Sequence, residues 1–188
     1  MRFLCVSRGS VALAAIAACG VGVATAGAAT KTAVIKTSGS DRFVPNPASP
    51  PNKMDINDLR WAPGTITVRS GERLKLVDGD KSGDPHVLVI AKTRDIPQSN
   101  NVNPQTNPVL RMIAPALLVD PTNPQQGFKA FKTNAGRDGL NQEGDALVVV
   151  PGSPHKTATW FVSAKAGTTL HYFCAVHYWM QGVIKVIK

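Results

Sequence analysis

Thr169-Leu170-His171-Tyr172-Phe173-Cys174-Ala175-Val176-His177-Tyr178-Trp179-Met180-Gln181-Gly182 is a β-rich run that ends in a loop crowded with metal donors. A thiol, an imidazole and a thioether recur with the spacing C-x2-H-x2-M at Cys174, His177 and Met180. All three are soft or borderline donors, and together they suit copper, which moves between two oxidation states. In a strand, alternate side chains share a face. Leu170 and Tyr172 therefore lie on the Cys174 face and point inward with it, while His171 lies on the other. After Gly182, the apolar positions Ile184 and Val186 return to the core in a closing strand.

An electron-transfer copper geometry is trigonal, with two histidines, one cysteine and a weak axial methionine. The second imidazole must come from elsewhere in the chain. His86 is the candidate, because it opens the apolar run His86-Val87-Leu88-Val89-Ile90 directly after the polar loop 78–85. A run that is apolar on both faces predicts a buried strand. By alternation His86, Leu88 and Ile90 share one face. His155 falls in a turn, which leaves it and His171 as surface or outer-layer groups.

Working outward, the remaining patterns predict an all-β sandwich of short strands. Ile66 and Val68 alternate with Thr67 and Arg69. Leu74 and Leu76 alternate with Arg73 and Lys75 beyond the turn Ser70-Gly71-Glu72, which reads as a hairpin. Residues 146–150, 157–162 and 183–187 read as further strands. The stretch 93–141 is rich in Asn, Gln and Pro, with one apolar patch at 109–119 broken by Pro115. It reads as an irregular, partly helical insertion without enough apolar content for a core of its own.

Three stretches resemble the cupredoxins, the blue-copper family of plastocyanin, azurin, pseudoazurin and amicyanin. They are Ala62–Glu72, Asp84–Val89 and, most strongly, Phe173–Ile184. The loop spacing is closest to amicyanin's. The resemblance implies a cupredoxin-like Greek-key sandwich holding one type 1 copper ion through His86, Cys174, His177 and Met180. In the family the axial thioether is followed by x-G-x-[VI], as Met180 is here. Gln181 is the rival axial ligand, since glutamine can replace methionine in such sites. Three features depart from the family. His86 and Cys174 stand 88 positions apart because of the insertion, Asp84-Pro85 precedes His86 where the family often has Asn, and Ala175-Val176 follows the cysteine where several relatives carry proline.

What the resemblance implies is single-electron transfer without bond making, so the expectation is no enzyme. The implied partner is a periplasmic cytochrome or dehydrogenase. Two alternatives remain open: a copper carrier or resistance protein of the same fold, and a non-metal β-sandwich that binds a protein. Other chemistries fit less well. Structural zinc sites usually close with four Cys/His ligands, and only three are grouped here. Cys and His three apart on a β-turn make a poor nucleophile and base. A nitrite-reductase-like enzyme needs more histidines than the spare His155 and His171.

The first residues read as an address rather than as part of the fold. Residues 1–28 carry Arg2 and Arg8, an apolar run over 11–23, and small-residue cleavage options at 24–28. This is the pattern of a secretory signal peptide. Ile16-Ala17-Ala18-Cys19 also resembles a lipobox, with Cys19 as the lipid attachment point. Once 1–28 is removed Cys174 is the sole cysteine, which excludes an internal disulfide. Residues 29–60 read as an N-terminal arm, with the proline-rich 45–51 as a stiff connector. The copper domain is assigned to 61–188, with the insertion at 93–141, acting as a monomer. Losing Arg2 and Arg8 lowers the net charge from +9 to +7. A basic protein favours an acidic docking face on its partner. The basic residues are scattered without a dense run, which disfavours nucleic acid.

Overall fold

A computed structural model of the chain describes residues 31–49, 52–98, 103, 105–117, 132–133, 138–152 and 154–188. The signal-peptide reading of 1–28 and the lipobox cysteine Cys19 lie outside the described residues. In chain order the elements are β1 (Thr32–Ser38), β2 (Asp41–Pro45), β3 (Lys53–Asn57), β4 (Arg60–Ala62), β5 (Thr65–Arg69), β6 (Arg73–Val77) and β7 (His86–Ala91). A 3-10 turn (Thr93–Asp95) and helix α1 (Pro108–Leu117) follow. Then come β8 (Lys132–Thr133), β9 (Ala146–Val149), β10 (Thr157–Phe161), β11 (Thr169–Cys174) and β12 (Gln181–Ile187).

Two sheets face each other. One runs β10-β6-β1-β4 and the other β5-β12-β11-β7-β9-β8. The inner faces carry the apolar residues that period two predicts: Leu74 and Leu76 from β6, Leu88 and Ile90 from β7, Leu170 and Tyr172 from β11, Ile184 and Val186 from β12. Burying each large aliphatic side chain contributes about 1.5–3 kcal/mol, so this shared face holds the sandwich together. The chain thus forms the expected all-β Greek-key sandwich with a partly helical insertion.

Two local expectations change. The alternating strands either side of Ser70-Gly71-Glu72 do not form a hairpin. β5 pairs in parallel with β12, while β6 pairs with β1 and β10 in the opposite sheet. The turn is an arch between layers, held by Gly71 N–H donating to Val162 O and Ser70 N–H donating to Ile187 O. Gly71 takes φ +88, which suits glycine. The stretch 29–60 is also more ordered than an arm. β1 sits inside the four-stranded sheet with Ile35 fully buried. β2 and β3 form an antiparallel hairpin, and part of the proline-rich 45–51 lies at its tip, where Asn46 N–H donates to Asn52 O at 2.9 Å.

The described apolar residues of the insertion lie on the outer face of the six-stranded sheet. Ile96, Val109, Leu110 and Ile113 pack on Val87, Val89, Ala146, Val148 and Phe173. This explains why β7 and β9 are buried on both faces. α1 begins at Pro108, and Asn107 caps it: its Oδ1 accepts the Val109 and Leu110 N–H groups at 3.0 and 3.1 Å.

Candidate metal centre

Strand pairing explains how residues 88 apart meet. β11 runs antiparallel to β7, with Cys174 opposite Leu88 and Phe173 opposite Val89. Cys174 at the end of β11 therefore arrives beside His86 at the start of β7. The loop after Cys174 folds back on itself. Met180 N–H donates to His177 O at 2.9 Å, and Cys174 N–H donates to Met180 O at 2.8 Å. The first and last donors of the loop are thus joined through backbone.

His86, Cys174 and His177 each point one donor atom into a common space, all within 4.8 Å of one another. Cys174 Sγ lies 3.9 Å from His86 Nδ1 and 3.8 Å from His177 Nδ1. These separations would let one ion reach the sulfur and both nitrogens at ordinary bond lengths, about 2.3 Å to sulfur and about 2.0 Å to nitrogen. His86 and Cys174 have no exposure, Met180 has 1% and His177 has 6%.

The ionisation states also suit a cation. Burial lowers the His86 pKa to about 4, against the pull of Asp80. It lowers His177 too, against the pull of Asp84. Both rings are neutral at pH 7 and free to ligate. Burial pushes the Cys174 thiol up, although the backbone N–H groups of Val87, His177 and Val176 oppose it. Val87 N–H lies 3.4 Å from the sulfur. A thiol in this setting ionises when a cation takes the place of its proton. The donor set fits type 1 copper.

The two-sheet sandwich around that donor set is similar to the cupredoxin fold. Neither a family model nor a curated protein sequence matches the chain. Solved structures that resemble it include auracyanin from Roseiflexus castenholzii (20% identity, 86% of this chain and 100% of that one, TM-score 0.41). A purple cupredoxin from Nitrosopumilus maritimus has 12% identity over 82% of this chain and 98% of that one, with TM-score 0.38. Amicyanin from Paracoccus versutus has 15% identity over 86% of each chain, with TM-score 0.33. These superpositions are loose, and the donor geometry decides the site.

Around the donor group the structure adds residues that spacing did not single out. Trp61 is buried, its ring edge-on to His86 at 6.1 Å, and its Nε1–H donates to Met180 O at 2.8 Å. Asp80 and Asp84, in the loop before β7, approach the far nitrogens of the two histidines. Two acids six and two places before a candidate ligand are visible in the sequence, but there they read only as a polar loop. The aromatic pair between His177 and Met180 divides. Tyr178 packs inward on Phe173, whereas Trp179 is 37% exposed and edge-on to His177 at 5.3 Å. His171 lies on the opposite strand face, and His155 in its turn, away from the donor group.

Gln181 points away from the cluster. Its Nε2 donates to Pro97 O at 2.8 Å and to Tyr178 O at 3.0 Å, tying the loop to the insertion. Gln181→Ala should therefore lower stability by about 1 kcal/mol, an ordinary hydrogen-bond loss, and leave the visible spectrum of the copper form unchanged. Thermal melting and absorbance check both halves. A shifted spectrum would restore Gln181 as the axial group.

Proposed function

We propose that this protein carries single electrons through one copper ion held by His86, Cys174 and His177, with Met180 as the weak axial ligand. The observation that carries the reading is the closed group of two imidazole nitrogens and one cysteine sulfur, buried and within 4.8 Å. A site that keeps nearly the same shape for both copper charges loses little energy to rearrangement, which suits transfer over bond chemistry. Of the four side chains, His177 is the most exposed, with Val176 and Trp179 open beside it. That edge is where a redox partner would approach. Exposed apolar groups of this kind mark contact surfaces.

The partner is proposed to be a periplasmic cytochrome or dehydrogenase with an acidic docking face, drawn by the net positive charge. Export, and lipid attachment at Cys19, rest on the leader sequence alone. Among the described residues no helix is long and apolar enough to cross a membrane. Mass spectrometry of the mature N-terminus tests both statements.

Absorption and EPR of the copper-loaded protein test the centre itself. The expected result is an intense visible thiolate-to-copper band with reversible one-electron reduction. Copper bound without that band, and released readily to a chelator, would favour the carrier reading. No copper uptake would leave the non-metal module.

A further inference from the structure

The loop 78–85 does more than connect β6 to β7. Nε2 of His86 lies 2.7 Å from Oδ2 of Asp80, a charge contact outside hydrogen-bond geometry, with neither side chain exposed and neither atom having a hydrogen-bond partner. The other Asp80 oxygen is occupied: Oδ1 accepts the Ser82 N–H at 2.8 Å and the Ser82 hydroxyl at 2.7 Å. The carboxylate is held from beneath as well. Buried Thr37 accepts the Gly79 and Asp80 N–H groups on its Oγ1, at 2.8 and 3.2 Å, and its hydroxyl donates to Asp78 at 3.3 Å. Gly79 lies close over this strand: a Cβ there would stand 2.8 Å from the Thr37 carbonyl oxygen. Strand β1 therefore sets the loop, and the loop sets the carboxylate.

A neutral imidazole carries one proton on one of two nitrogens. A carboxylate at Nε2 selects the form with the proton there, leaving the Nδ1 lone pair bare. Nδ1 is the atom that faces Cys174. His177 has a weaker version of the same arrangement. Its Nε2 is 3.6 Å from Asp84 Oδ2, beyond a direct hydrogen bond, and the Asp84 side chain is 43% exposed.

We propose that Asp80 is a positioning residue for the metal centre: it fixes His86 as the Nε2–H tautomer and holds its bare Nδ1 toward Cys174. Asp84 has no equivalent hold on His177. The buried negative charge also strengthens His86 as a donor and favours the more highly charged copper state. This inference rests on the copper reading, but half of it is testable without metal.

The first measurement is long-range proton–nitrogen NMR of the metal-free protein at neutral pH. The wild type should show His86 as the Nε2–H tautomer, and Asp80→Ala should show a mixture. The second is cupric titration by competition with a chelator, followed by redox titration. Removing an outer partner of a metal-bound histidine typically weakens binding about 10–100-fold, and Asp80→Ala should do so. Asp80→Asn keeps the shape and an acceptor oxygen but not the charge. It should keep the tautomer, bind cupric copper more weakly and raise the reduction potential. Asp84→Asn should change affinity less than about threefold, because its contact is long and solvated. If Asp80→Ala does not fold, Asp80→Asn alone decides. His86 as the Nδ1–H form in the wild type overturns the proposal. So does an Asp80→Asn variant with wild-type affinity and potential. Wild-type protein with the expected tautomer but no copper uptake would instead overturn the copper reading and leave the positioning contact standing.

Discussion

Cys174→Ser is expected to erase the intense visible band of the copper-loaded protein and to cut cupric affinity by more than the about 10–100-fold that loss of an outer-shell partner costs. The reason lies in the donor and in its burial. A thiolate is a soft ligand that copper prefers, whereas a serine hydroxyl is a hard, neutral one that stays protonated at pH 7. Cys174 is fully buried and is the sulfur shared by both short edges of the donor triangle. The two imidazoles that remain cannot supply the missing charge. The fold should survive, because serine fits the same space and its hydroxyl can meet the Val87 N–H that now faces sulfur. Melting of the metal-free variant should therefore stay within about 1–2 kcal/mol of the wild type. A variant with an unchanged spectrum and copper stoichiometry would move the ion away from this site.

Gly182→Ala is expected to destabilise the protein by about 3 kcal/mol, the upper end of what overpacking costs. Gly182 lies opposite Tyr172 in the β11–β12 ladder. A methyl group there would occupy the place of the Tyr172 phenol and the Gly64 carbonyl oxygen. Neither can move aside easily. Tyr172 is fully buried, and its hydroxyl donates to Gly64 O at 3.3 Å. Gly64 O also accepts the Val183 N–H at 2.8 Å, so it belongs to the pairing of β12 with the β5 end. The melting temperature should fall by roughly 2–4 °C for each kcal/mol, so by about 6–12 °C. An unchanged melting point would show that β12 can shift outward at no cost. The copper spectrum should broaden as well, since Met180 stands two residues before the disturbed position.

The sequence and the fold agree most closely where chemistry is local. Cys174, His177 and Met180 lie within seven positions, so their spacing already defines a loop of three donors. His86 was legible for a different reason. Its strand is apolar on both faces, and alternation puts His86 on the Leu88 and Ile90 side, which is the inner face in the structure. Pairing partners were less accessible. Period two says which side of a strand faces inward but not which strand lies beside it, so β5 and β6 read as one hairpin although they serve different sheets. A short strand at Val34-Ile35 is legible and falls within β1, but the β2–β3 hairpin is obscured because prolines at 45–51 dominate the local reading. The role of Asp80 was hidden too. Among the polar residues of 78–85 nothing marks one carboxylate as buried, and only the contact with Thr37 on a distant strand makes it so.

Strand β11 has packed matter on both sides. Tyr172 and Cys174 press against the interior shared by the two sheets, while Phe173 presses against α1 and its neighbours. A single-layered wall with water behind it can breathe, and each excursion would alter the distances from sulfur to nitrogen. Here Ile96 and the apolar residues of α1 back the strand, and the Gln181 side chain ties Pro97 to the loop. Packing on both faces leaves the strand that carries the sulfur no solvent-filled side to move into.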